Sequence, residues 1–96
     1  MGSNEKKVMS HRDRVLERSI KPCILNSQFT NTENGVKSIT KAMCGIERSA
    51  DIRMECIEED KRYGLILDYG DFVYTYVVTF VICDYGIYLY KVSSIE

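Results

Sequence analysis

Hydrophobic and polar positions divide the chain into a polar beginning and an apolar end. Residues 1–18 scatter Val8, Met9, Val15 and Leu16 among charged side chains, which predicts a flexible polar N-terminal arm. From residue 19 the pattern tightens. Ile20, Ile24 and Leu25 flank Pro22, which fixes its own φ and lacks an N–H, so residues 19–25 read as an extended edge segment. Residues 26–31 are rich in turn formers.

A helix comes next. Thr30-Asn31-Thr32-Glu33 has the form of a capping box, with a hydroxyl at the cap and Glu33 reaching back to an orphan N–H. Val36, Ile39, Met43 and Ile46 share one helical face, and Gly45 is placed to stop the helix. Gly35 weakens the first turn by up to ~1 kcal/mol relative to Ala. Residues 49–62 fit two periods. Ile52, Met54 and Cys56 alternate as in a strand, whereas Ile52, Cys56 and Ile57 suit a helix that Ser49 and Asp51 would cap. The run Glu58-Glu59-Asp60-Lys61-Arg62 suits an exposed helix end better than a strand, so a second helix is predicted. Beyond Gly64 the chain is β. Leu65-Ile66-Leu67 is a short apolar run, Asp68-Tyr69-Gly70-Asp71 a turn or bulge, and residues 72–83 form one strand or two. Asp84-Tyr85-Gly86 interrupts before a last strand over residues 87–92. The expected fold is α+β, with two helices packed on one face of an antiparallel β-meander.

Residues 72–83 carry one further signal. Phe72, Tyr74, Tyr76, Val78, Phe80 and Ile82 alternate with Val73, Thr75, Val77, Thr79, Val81 and Cys83. Both sets are largely apolar, so both faces want cover. Two modest helices cover one face. A homodimer formed through the sheet is the simplest cover for the other, because one patch then buries its own copy.

With 96 residues, the chain makes one domain, here residues 19–96 behind the arm, and buries roughly 60–65% of its unfolded surface. A formal net charge of −1 does not favour nucleic acid, which asks for a basic stripe. Lys6, Lys7, Arg12, Arg14 and Arg18 are diluted by Glu5, Asp13 and Glu17. No stretch reaches the ~18 apolar residues of a membrane span. The polar N-terminus has no secretory core, so a cytoplasmic location is expected. Cys23, Cys44, Cys56 and Cys83 have no metal-like spacing, and His11 is the single histidine beside them, so neither metal nor cofactor is expected. His11 in a polar arm is a poor partner for a nucleophile, and Glu55, Glu58, Glu59 and Asp60 read as solvated charges. The chain therefore reads as a non-catalytic binding module and not as an enzyme.

Several segments resemble the dynein light chain family, small dimeric hub proteins. Ile20-Lys21 resembles the family's first strand, and residues 36–43 its first helix. Asp51-Ile52 with Asp60-Lys61-Arg62-Tyr63 resembles its second helix. Tyr69-Gly70-Asp71-Phe72-Val73, Phe80-Val81-Ile82, Gly86 and Leu89-Tyr90-Lys91 resemble its later strands. The resemblance implies a homodimer that binds short linear motifs of partner proteins by β-strand addition. It also implies a cytoskeletal association and a place in the dynein motor complex, with the dynein intermediate chain among its partners. Carried across, the peptide-pairing strand is residues 70–75, and the binding residues are Tyr69, Gly70, Asp71, Phe72, Val73, Tyr74, Thr75, Phe80 and Ile82. The chain departs from the family in a shorter connector after Tyr63 and a missing Trp-His-Cys segment. Tyr76-Val77-Val78 stands where a turn is expected, and Ser49-Ala50 where the family grips its peptide. The alternative is another α/β dimerisation scaffold, longin- or roadblock-like, that serves as a subunit of a larger complex and uses helix packing instead of peptide grooves.

Overall fold

A computed structural model describes residues 10–25, 28–83 and 86–95. The fold is α+β. Helical segments α1 (His11–Val15), a π-helical stretch (Leu16–Ile20) and α2 (Lys21–Leu25) follow one another without a break. Next come a two-residue strand β1 (Gln28–Phe29) and helix α3 (Thr32–Ile46). Strands β2 (Asp51–Glu58), β3 (Arg62–Asp68), β4 (Val73–Cys83) and β5 (Gly86–Ile95) follow. The five strands form one antiparallel sheet in the order β1-β5-β4-β3-β2.

Two segments differ from the sequence expectation. Residues 10–25, expected as arm and extended edge, are helical. Ser10 caps α1 by accepting the Asp13 N–H at 3.1 Å, and Val15, Leu16, Ile20 and Ile24 are buried in the core. The polar-arm reading thus fails from Ser10 to Arg18, while residues 1–9 lie outside the described residues. Pro22 does not stop the helix. The Lys21 N–H reaches back five residues to the Leu16 carbonyl, so the turn is already widened where Pro22 would clash with an α-helical carbonyl. The second segment is residues 49–62, expected as a helix. Alternation wins there: Ile52 and Met54 turn to the core while Arg53 and Glu55 face water. The charged run forms the β2–β3 turn. Asp60 takes a left-handed conformation (φ 63°), which Asp tolerates better than most residues. Its carboxylate accepts the buried Thr32 hydroxyl at 2.7 Å, tying the turn to the start of α3.

Helix α3 is capped one residue later than the capping box suggests, by Asn31, whose side chain accepts the Asn34 N–H at 2.8 Å. Its buried stripe is Thr32, Gly35, Ile39 and Met43. Val36 is half-buried, Ile46 is exposed, and Gly45 lies inside the last turn. Gly35 permits a close approach: a Cβ there would lie 2.9 Å from the Phe80 ring and 3.1 Å from Phe29.

The core is one cluster. Val15, Leu16, Ile20, Ile24, Phe29, Ile39 and Met43 meet Leu65, Leu67, Tyr76, Val78 and Phe80. Register places Leu65 beside Tyr76, Leu67 beside Tyr74, and Tyr63 beside Val78, so these side chains share one face of the sheet. The Tyr76 hydroxyl donates to the Arg12 carbonyl at 2.8 Å, anchoring α1 to that face.

Candidate interaction surfaces: an aromatic corner, a helix-free face and a free edge

The turn between β3 and β4 builds an aromatic corner. Gly70, at φ 97°, supplies the positive φ that a side chain would strain, and its N–H donates to the Asp68 carboxylate at 2.9 Å. The Tyr69 N–H donates to the Phe72 carbonyl at 2.9 Å and closes the turn. The closure stacks Tyr69 on Phe72 with centroids 4.7 Å apart. Tyr74 packs edge-on to Tyr69 at 5.5 Å. His11 enters from α1, with Nδ1 2.9 Å from the Tyr74 hydroxyl, and the Arg12 guanidinium lies 5.1 Å from the Tyr74 ring. The Tyr69 hydroxyl donates to Glu47 Oε1 at 3.0 Å. Burial, then that hydrogen bond and the Glu47 charge, push the Tyr69 phenol up from its ordinary value. Burial likewise pushes Tyr76 up, against the lowering effect of Arg12.

Ser10, His11, Asp13 and Tyr74 line a depression, but they are not wired as a relay. The Ser10 hydroxyl is occupied as the helix cap, and the His11 partner is a phenol, not a carboxylate. A nucleophile–base–orienter chain needs the opposite connections. Among the described residues, no three of His, Cys, Asp and Glu gather into a group able to hold a metal. No described helix is long and apolar enough to cross a membrane.

The face of the sheet opposite the helices carries Ile57, Ile66, Val73, Thr75, Val77 and Thr79. Gly64 lies among them, between Ile57 and Thr75. Ile66 is buried, whereas Ile57 remains 53% and Val73 48% exposed. The sheet also has a free edge. β2 pairs with β3 on one side, and no described strand pairs with the other.

The sequence-derived binding residues therefore do not form one groove. Tyr69, Gly70, Asp71 and Phe72 make the turn. Val73 and Thr75 look to the helix-free face and Tyr74 to His11. Phe80 is sealed in the core against Phe29, Tyr63 and Gly35, and the side chain of Ile82 lies outside the described residues. The expected peptide-pairing strand is an inner strand: Val73, Tyr74 and Thr75 pair with Asp68, Leu67 and Ile66, and from Thr75 onward β5 takes the other side. A peptide finds no continuous free ladder there. Sequence reasoning missed His11 and Arg12 as members of the corner, and β2 as an edge. The alternation of Ile52, Met54 and Cys56 was the available signal for β2. No family model matches the chain, and no curated protein or solved structure matches it.

Proposed function

We propose that the chain is a non-catalytic protein-interaction module that works as a homodimer, its sheet completed by a second copy, and serves as a scaffold subunit for folded partners. The observation that carries this reading is the unfinished sheet. Ile57 and Val73 stand exposed on a face with no described helix over it, and the outer side of β2 has no strand partner among the described residues. Exposed ladders and contiguous apolar patches are sites of association. The α/β dimerisation-scaffold alternative is favoured over the dynein light chain-like peptide groove by two findings. Ile20 and Lys21 are helical where the resemblance implies a strand, and β2 is a strand where it implies a helix. A short linear motif added as a strand would have to use β2 in place of residues 70–75.

Light scattering at micromolar concentration tests the reading. The expected mass is twice the 11.1 kDa of one chain, and a stable monomer would overturn it. Extended peptides are expected to bind weakly or not at all beside residues 70–75. Tight peptide binding that Val73→Pro abolishes in a folded protein would restore the groove.

A further inference from the structure

We propose that the second copy adds along β2, antiparallel about a two-fold axis through Met54, so that two five-stranded sheets continue into one. The inference rests on the homodimer reading above and names its contact. β2 has eight residues, enough for a ladder, and its outward N–H and C=O groups have no strand partner among the described residues. Charge chooses the register. Ladder bonds alternate along an antiparallel pair, so a self-paired strand is centred on a residue and not between two. A centre at Arg53 or at Glu55 sets that residue against its own copy, and like charges directly opposite are unfavourable. A centre at Met54 sets Arg53 opposite Glu55 of the second copy, and does so twice. It also overlaps residues 52–56 of the regular ladder, ahead of the bulge at Ile57, whereas centres at Ile52 or Cys56 overlap shorter runs. Within one chain Arg53 Nε and Glu55 Oε2 already lie 3.3 Å apart on exposed side chains, so the two copies close a ring of four alternating charges. On the other face Met54 meets its copy and Ile52 meets Cys56, which continues the half-buried apolar row of Ile52 and Met54. The helix-free faces of both copies then lie side by side as one wider surface for a folded partner.

Charge reversal tests the contact. Arg53→Glu and Glu55→Arg should each weaken the dimer at least ~10-fold in sedimentation velocity, and the double variant should return within ~3-fold of the wild type. An equimolar mixture of the two single variants should regain the dimer mass, because opposite signs then face each other. Lys37→Glu on α3 should leave the constant unchanged. A wild type that is monomeric overturns this inference and the homodimer reading together. A wild-type dimer that Arg53→Glu leaves intact overturns the contact alone, and if Val77→Lys dissociates that dimer the contact lies on the helix-free face. Should either single variant fail to fold, hydrogen exchange of the wild type decides. Protection of residues 51–57 should rise with protein concentration across the range in which sedimentation shows the dimer forming, and protection constant over that range overturns the contact.

Discussion

Along β4, Tyr76, Val78 and Phe80 lie in the core under the helices, while Val73, Thr75, Val77 and Thr79, alternating with them, look the other way. The first row carries two aromatics and the second two threonines, and Tyr76 is fully buried while Val73 is half exposed. The strand biases its faces but does not cover either. The choice is made by which side the amphipathic helices reach, and there the N-terminal helix is decisive. It brings Val15, Leu16, Ile20 and Ile24 onto the Tyr76 face, so the cover expected from a second helix at residues 49–62 comes from residues 11–25 instead. That helix joins α3 on the face, and among the described residues no helix lies over the other row.

The largest expected effect comes from removing that helix. A chain starting at Ser19 loses Val15, Leu16 and the Arg12 carbonyl that Tyr76 bonds. Two buried aliphatic side chains at ~1.5–3 kcal/mol each are a large share of the ~5–15 kcal/mol that stabilises a small domain. The cooperative thermal transition should vanish, or drop by well over ten degrees on the order of several kcal/mol lost. A truncated chain that melts like the full one would return residues 10–18 to the status of a loose arm.

Paired truncations on the two faces sharpen the contrast. Leu65→Ala, in the core, should cost ~2–5 kcal/mol by urea denaturation. Val77→Ala, on the helix-free face, should cost under ~1 kcal/mol in the dilute monomer. Equal costs would mean that the second face is covered within one chain.

Gly35→Ala is expected to destabilise by ~1–3 kcal/mol through overpacking against Phe80 and Phe29, although in a solvent-facing helix the same change would stabilise by up to ~1 kcal/mol. A stabilised variant would show that the two rings yield at little cost.

The smallest effect is expected from pH. Tyr69 and Tyr76 are both held above the ordinary phenol value, which is near ~10. A group whose pKa is raised by folding adds stability that is complete below its unfolded value and lost as pH climbs above it. Melting temperature should therefore fall above pH ~10, with tyrosinate absorbance appearing as the chain unfolds. Tyr69→Phe keeps the ring stack and should make that fall shallower; an unchanged slope would remove Tyr69 from the account.

Helix α3, the turn at Gly70, the β-rich end and the apolarity of both rows of β4 were legible in the chain, because each rests on local chemistry: an N-cap, a glycine at positive φ, a period of two. Of the candidate site, the stacking pair Tyr69 and Phe72 was within reach for the same reason. The helix over residues 11–25 was not. Leu16, Ile20 and Ile24 recur every four residues, but they straddle a step in polarity and enclose Pro22, and a helix this short draws its stability from packing more than from propensity. β2 carries both periods, and the choice between them lay with β3, whose ladder takes Ile52, Met54 and Cys56 against Leu67, Leu65 and Tyr63. The inner position of β4, which closes residues 70–75 to an added strand, depends on β5 from the far end of the chain. Local sequence determines what a segment can form; which of those forms is kept depends on distant surfaces that a reading along the chain does not bring together.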